Sequence, residues 1–179
     1  MRKVVVYELL SLDGVAESPD SFILDWDEVM DANLAEVIAP QDTVILGRRS
    51  YDEWAGYWPT SDVEPFASFI NPVRKLVATS SPLGRDWPAA TRIEGDLADA
   101  VRALKSTDGG DIGVHASISV ARSLLAAGVV DELHLVVAPM IAGSGVRLLA
   151  DLPAIRLENL STTATPSGAL LLRFRVLPA

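Results

Sequence analysis

The stretch Asp42-Thr43-Val44-Ile45-Leu46-Gly47-Arg48-Arg49-Ser50-Tyr51 reads as a buried strand that stops at a glycine. Two arginines follow, then a serine placed to cap a new helix. A glycine lets backbone come close to a ligand. A helix N-terminus offers unbonded N–H groups and the positive end of its dipole. Guanidinium groups fork onto phosphate oxygens. Gly47, Arg48, Arg49 and Ser50 therefore make a candidate site for a phosphorylated cofactor at the C-terminal end of a strand. Other strand ends carry suitable groups: Asp13-Gly14, Thr79-Ser80-Ser81 and His115-Ala116-Ser117, where Ser117 opens a helix. Such a row suits a long ligand with two or more phosphates, bound beyond the carboxyl ends of an α/β sheet. The G-x-G-x-x-G fingerprint and the P-loop pattern are both absent, which argues against an ordinary dehydrogenase or NTPase.

The elements that must position these groups are legible in the periodicity. Val4 to Leu10 is β-branched and apolar, a strand ended by the turn Ser11-Leu12-Asp13-Gly14. A helix follows, with Asp25 as expected cap, Glu28 three residues on, and an apolar stripe of Met30, Leu34, Val37 and Ile38. Further strands are expected at Thr43 to Leu46, Lys75 to Thr79, Thr91 to Ile93, Asp111 to His115 and Glu132 to Ala138. Helices are expected from Ser50, after Asp96, and from Ser117 to Ala127. Ala55 to Asn71, rich in proline and aromatics, reads as a long, partly ordered loop. Arg156 to Thr163 and Ala169 to Val176 close as a hairpin around Pro166-Ser167-Gly168. Alternating strands and helices, then a hairpin, imply a single α/β domain over residues 1–179, with a mostly parallel sheet and an antiparallel edge.

Composition narrows the partners. With 15 Lys+Arg against 24 Asp+Glu the net charge is −9, which opposes nonspecific nucleic-acid binding and adhesion to anionic membranes. There is no cysteine, so disulfides, zinc–thiolate sites and thiol nucleophiles are excluded, and the separated His115 and His134 suggest no metal site. Met1-Arg2-Lys3 and the residues after it lack a signal-peptide pattern, and no apolar run is long enough to span a bilayer. A cytoplasmic location is the expectation.

Thr43 to Tyr51 resembles the strand, Gly-Arg-x-Thr/Ser and aromatic segment of the dihydrofolate reductase fold. Gly128-Val129-Val130-Asp131-Glu132-Leu133-His134-Leu135, running on to Pro139-Met140-Ile141-Ala142-Gly143-Ser144-Gly145, resembles the C-terminal reductase domain of the bifunctional riboflavin-biosynthesis deaminase-reductase. Ser11-Leu12-Asp13-Gly14 matches the same domain, and the resemblance covers nearly the whole chain. It implies a three-layer α/β/α fold, NADPH as cofactor, and hydride transfer to a small heterocyclic substrate. That substrate would be the ribosylaminopyrimidine phosphate of riboflavin biosynthesis or a relative of it. Carried over by resemblance, Arg48 lies on the ribose 2′-phosphate, Ser50 on a phosphate, and Thr79, Ser80 and Ser81 on the adenosine side. His115, Ala116, Ser117 and Ile118 hold the pyrophosphate, with His115-Ala116 standing where the family often has Gly-Gly. A homodimer is implied. The zinc deaminase half needs cysteines that this chain lacks.

Asp31 matches, by spacing, the pterin-binding carboxylate of dihydrofolate reductases, and it is the candidate catalytic residue. A solvated helix carboxylate is the competing reading. Trp54 and Tyr57, next to the cofactor segment, are candidates for stacking on substrate. The alternatives are a true dihydrofolate reductase using Asp31 and a non-catalytic nucleotide-binding protein that kept the fold.

Overall fold

Along β1 (Val4–Leu10) successive side chains enter two different cores. Val4 and Val6 join one cluster, while Val5 and Tyr7 join the other. Period-two alternation with both faces apolar is what a strand covered on both sides requires. The computed structural model describes residues 1–178. Its other strands are β2 (Gln41–Gly47), β3 (Arg74–Ala78), β4 (Ala90–Arg92), β5 (Asp111–His115), β6 (Glu132–Val137), β7 (Leu157–Ala164) and β8 (Leu170–Val176). They form one eight-stranded sheet in the order β4-β3-β2-β5-β1-β6-β8-β7. Pairs from β4 through β6 are parallel, and β8 runs antiparallel to both β6 and β7. The hairpin thus folds back so that its second strand touches the sheet and its first strand is the edge.

On one face lie α1 (Glu28–Ile38), α2 (Arg48–Tyr57) and the short α3 (Phe66–Ile70); on the other lie α4 (Leu97–Lys105) and α5 (Ile118–Ala126). The expected three-layer α/β/α arrangement holds. The stripe Met30, Leu34, Val37 and Ile38 is buried as its spacing predicts. Each such side chain contributes about 1.5–3 kcal/mol of burial against the entropy of ordering it.

Three local expectations need correction. The cap of α1 is Asp27, not Asp25: its carboxylate accepts from the N–H groups of Val29 and Met30, both at 3.0 Å. Asp27 has the extended backbone (φ −110°, ψ 168°) and stands directly before the first turn, as capping needs, whereas Asp25 lies two residues further out. Ser50 does not cap α2, because the helix begins at Arg48 and Gly47 occupies the cap position. Ala55 to Asn71 is not mainly loop. α2 runs on to Tyr57, a 3-10 turn covers Trp58–Thr60, and α3 follows. Pro59 and Pro65 stand at helix starts, where a missing N–H costs nothing. Aromatic packing orders the segment: Trp58 lies 4.8 Å from Phe66 and 5.8 Å from Trp54, centroid to centroid. Beneath it the fully buried Lys75 donates to the carbonyls of Ile70, Asn71 and Val73 at 2.8–2.9 Å, closing the end of α3. Burial pushes its ammonium down to about 8.

Candidate functional site

The pairing of β1 with β5 ends at Tyr7–His115, whereas its pairing with β6 continues to Leu10–Val137. The chain leaves β1 toward α1 on one face and leaves β5 toward α5 on the other. The C-terminal ends of β1 and β5 are therefore the topological switch point, where ligands of α/β sheets bind. β2, on the far side of β5, delivers Gly47 and α2 to the same rim.

Two helix starts meet there. Neither Gly47 at the cap of α2 nor Ser117 at the cap of α5 satisfies its own helix with a side chain. Instead Ser117 Oγ accepts from the Gly47 N–H at 2.9 Å, and Ser50 Oγ donates to the Ala116 carbonyl at 2.9 Å. A Cβ on Gly47 would meet Val120 at 3.4 Å, an ordinary contact. The two N-termini are thus adjacent and tied together, with the first-turn N–H groups of both left without helical partners. By contrast α1 and α4, which also follow strands, are capped by the carboxylates of Asp27 and Asp96. Ala116, at φ 51°, takes the left-handed conformation that glycine adopts freely, at a cost of about 1–2 kcal/mol.

The paired arginines do not converge on one phosphate. Arg48 donates to Asp52 at 2.6 Å, to Ser81 Oγ at 2.8 Å and to the Pro82 carbonyl at 2.7 Å. Arg49 turns away to Glu53 and Glu17, and its side chain is 79% exposed. At i and i+1 on a helix the two side chains face different directions. Arg48 is thereby joined to the end of β3, where Thr79 Oγ1 lies 3.3 Å from Ser81 Oγ and Ser80 is exposed.

Other expected residues are engaged elsewhere. The Asp13 carboxylate accepts from Ser11 Oγ and from the N–H groups of Ala142 and Gly143, and it pairs with Arg147. The Ser11 hydroxyl first, then the backbone N–H groups, hold it down to about 2. It clamps the 139–147 loop, and Gly14 (φ 82°) supplies the turn. His115 points away from the rim into the α1–α3 face. There Nε2 meets Gln41 at 2.8 Å and the ring packs on Tyr7, Phe66 and Phe69. Burial pushes it down to about 3, so it is neutral. Ile118 packs its side chain on the α5-side core.

Asp31, in the first turn of α1, accepts from Trp26 Nε1 at 2.7 Å. Its charge also reaches the Tyr7 hydroxyl, whose ionisation is suppressed first by burial and then by Asp31. Trp54 is half-buried, edge-on to Phe66 at 5.4 Å, while Tyr57 is exposed and edge-on to Trp58 at 5.0 Å.

The sequence reading missed the orphans. Tyr7 Oη, Glu8 Oε1, Asp52 Oδ1 and Trp58 Nε1 are buried without a hydrogen-bond partner among the described residues. All lie on the C-terminal half of β1 or on α2 and the turn after it. Glu8 carries the clearest signal in retrospect: a lone acid in a run whose two faces must both be covered. Burial pushes its carboxyl up to about 8, against the opposing pull of the Ser117 backbone N–H. A hollow of about 680 Å³ lies elsewhere, between α4 and the β2–β3 face, and Arg2 and Asp42 on its rim are already paired with each other. Unpaired groups rather than volume locate the site. Among the described residues no cluster suits a metal ion, and no helix is long and apolar enough to cross a membrane.

Comparison with known proteins places this architecture. The uncharacterized protein YyaP of Bacillus subtilis (strain 168) is 26% identical over 176 residues, covering 94% of this chain and 92% of its own. A pyrimidine reductase-like protein from Corynebacterium diphtheriae is 16% identical with a TM-score of 0.70, over 99% of this chain and 93% of that one. Dihydrofolate reductase from Enterococcus faecalis, solved in complex with NADP(H), is 12% identical with a TM-score of 0.64, over 98% and 97% of the two chains. These structural likenesses establish the dihydrofolate reductase-like fold. A model of the RibD C-terminal domain matches residues 2–171, and the chain belongs to that family.

Proposed function

We propose that the protein is an NADPH-dependent reductase that delivers hydride to a C=N or C=O carbon of a small heterocyclic substrate. The carrying observation is the pair of adjacent, uncapped helix N-termini of α2 and α5. Their free N–H groups and aligned dipoles fit a diphosphate. Arg48, held against Ser81 and beside Thr79, fits an adenosine 2′-phosphate, with Ser80 on the adenosine side. Ser50 and Ser117 fix the two helix starts relative to each other. The cofactor, when bound, supplies the hydride; the chain's residues bind, orient and exclude water. Trp54 and Tyr57 stand beside the cofactor segment for stacking on the substrate. The family favours a ribosylaminopyrimidine phosphate, 5-amino-6-(5-phosphoribosylamino)uracil, and a cytoplasmic homodimer belongs to the same reading. The test is fluorescence titration with NADPH and NADH. Arg48→Ala is expected to weaken NADPH by tenfold or more, about 1.4 kcal/mol, and NADH little. Equal loss for both removes the 2′-phosphate assignment, and no NADPH binding at tens of micromolar removes the reductase.

A second reading, a dihydrofolate reductase, has its own support in Asp31. This carboxylate is oriented by Trp26 and lies near the unpartnered Tyr7 hydroxyl. Asp31→Asn is expected to abolish dihydrofolate turnover while leaving NADPH affinity intact; unchanged turnover ends this reading.

A further inference from the structure

Glu8 stands on β1 one residue past the point where β5 has turned away, and strand alternation puts its side chain on the α5 face, with Leu135. It is 4% exposed, and its Oε1 has no partner among the described residues. The one polar group that acts on it is the backbone N–H of Ser117. That residue is also the cap of α5 and the acceptor of the Gly47 N–H. The Ala116–Ser117 turn is thus held from the end of β2 by Gly47 and from α2 by Ser50, and the buried, unpartnered Glu8 carboxyl stands beside it on β1.

We propose that Glu8 is a positioning residue of the anion site at the start of α5. As a neutral carboxyl it holds the Ser117 end of the turn while the outward first-turn N–H groups receive the diphosphate. As a carboxylate it competes with that diphosphate for the same helix end. The proposal rests on the diphosphate reading given above.

Among the described residues no charged side chain faces Glu8. Its neighbour on β6 is Leu135, and on the β5 side the chain has reached Ala116. The titratable groups Tyr7, His115 and His134 are in register at the next level and point to the opposite face. On α5 and the 139–148 loop, Arg122 is turned to the carbonyls of Arg147 and Leu148, and Arg147 to Asp13. Burial, unopposed by any cation, holds the carboxyl protonated to about pH 8. Lys75 is also displaced to about 8, but it is sealed under α3 against backbone carbonyls and the Trp87 ring.

The test follows NADPH binding by fluorescence from pH 6.5 to 9.5, in the full chain and in Glu8→Gln. Wild type is expected to weaken about tenfold between pH 7 and pH 9, as one-proton linkage with a pKa near 8 requires. Glu8→Gln, which cannot ionise, is expected to lose the slope, although Lys75 still titrates. Calorimetry of the wild type in two buffers of different ionisation heat should show proton uptake rising toward one per NADPH, and this decides the matter if Glu8→Gln fails to fold. A Glu8→Gln slope equal to wild type, or no proton uptake, overturns the proposal while leaving the cofactor reading intact. Absence of NADPH binding at every pH overturns both.

Discussion

Glu8 and Glu132 are almost equally buried, at 4% and 5% exposure, yet their carboxyls move in opposite directions, to about 8 and about 2. They stand on neighbouring strands at opposite ends of the sheet. At the N-terminal end burial also opposes ionisation of Glu132, but hydrogen bonds from Lys3, His134 and Arg173 overcome it. The same end pairs Arg2 with Asp42 and Lys105 with Asp131. At the C-terminal end two helix starts lack caps, and Glu8 Oε1 is buried there without a partner among the described residues. Buried polar groups are normally satisfied. The end that leaves them open gives up stability there, and the end that pairs Arg2 and Glu132 ties neighbouring strands together. An uncapped helix start costs from a few tenths of a kcal/mol with glycine to about 1 kcal/mol otherwise, so two adjacent ones mark a place kept for something else.

The contrast can be broken from either end. Glu132→Ala should have the largest effect, about 2 kcal/mol in a urea unfolding series. This is below the roughly 3–5 kcal/mol of a fully buried pair, because Lys3 and Arg173 are about half exposed and can turn to water. The pH dependence has a definite sign. The folded value of Glu132 lies below its ordinary 4.5, so its contribution is complete above about pH 4.5 and is lost as pH falls toward 2. Glu132→Gln should flatten that acid limb; an unchanged limb would mean the N-terminal cluster does not hold the fold. Next, Gly47→Asp installs at α2 the cap that α1 and α4 already have. The backbone there (φ −77°) and the space beside it accept a side chain. Stability should hold or rise, while NADPH affinity falls by about tenfold or more as the carboxylate takes the N–H groups. The reverse change, Asp96→Ala, should cost about 1 kcal/mol of stability and leave NADPH binding untouched. If both variants alter binding alike, the open and closed helix starts are not functionally distinct.

Much of this was legible in the sequence. Periodicity located every strand, and the run from Thr43 to Tyr51 located the rim. Side-chain direction was not legible. Arg48 and Arg49 look like a pair as letters, but helical geometry sends one to Ser81 and the other to Glu17. His115 ends its strand at the rim, yet strand alternation turns its ring into the opposite core. The aromatic segment after Trp54 was misjudged because prolines suggest breaks, whereas here they begin helical turns that aromatic contacts hold. Ser50 and Ser117 are common cap residues, but both hydroxyls bridge to a neighbouring helix start instead, an arrangement only the tertiary structure supplies.

The order of the last three strands has a consequence during synthesis. β8 follows β7 in the chain but lies between β7 and β6 in the sheet. β7 therefore has no template when it leaves the ribosome, and β6 presents an open edge until β8 arrives. All β7 side chains but Leu160 are exposed, and the strand is rich in serine and threonine, which suits a segment that must wait in water. The sheet is completed by insertion, and a nascent chain arrested before Leu170 would carry its aggregation risk on the apolar edge of β6.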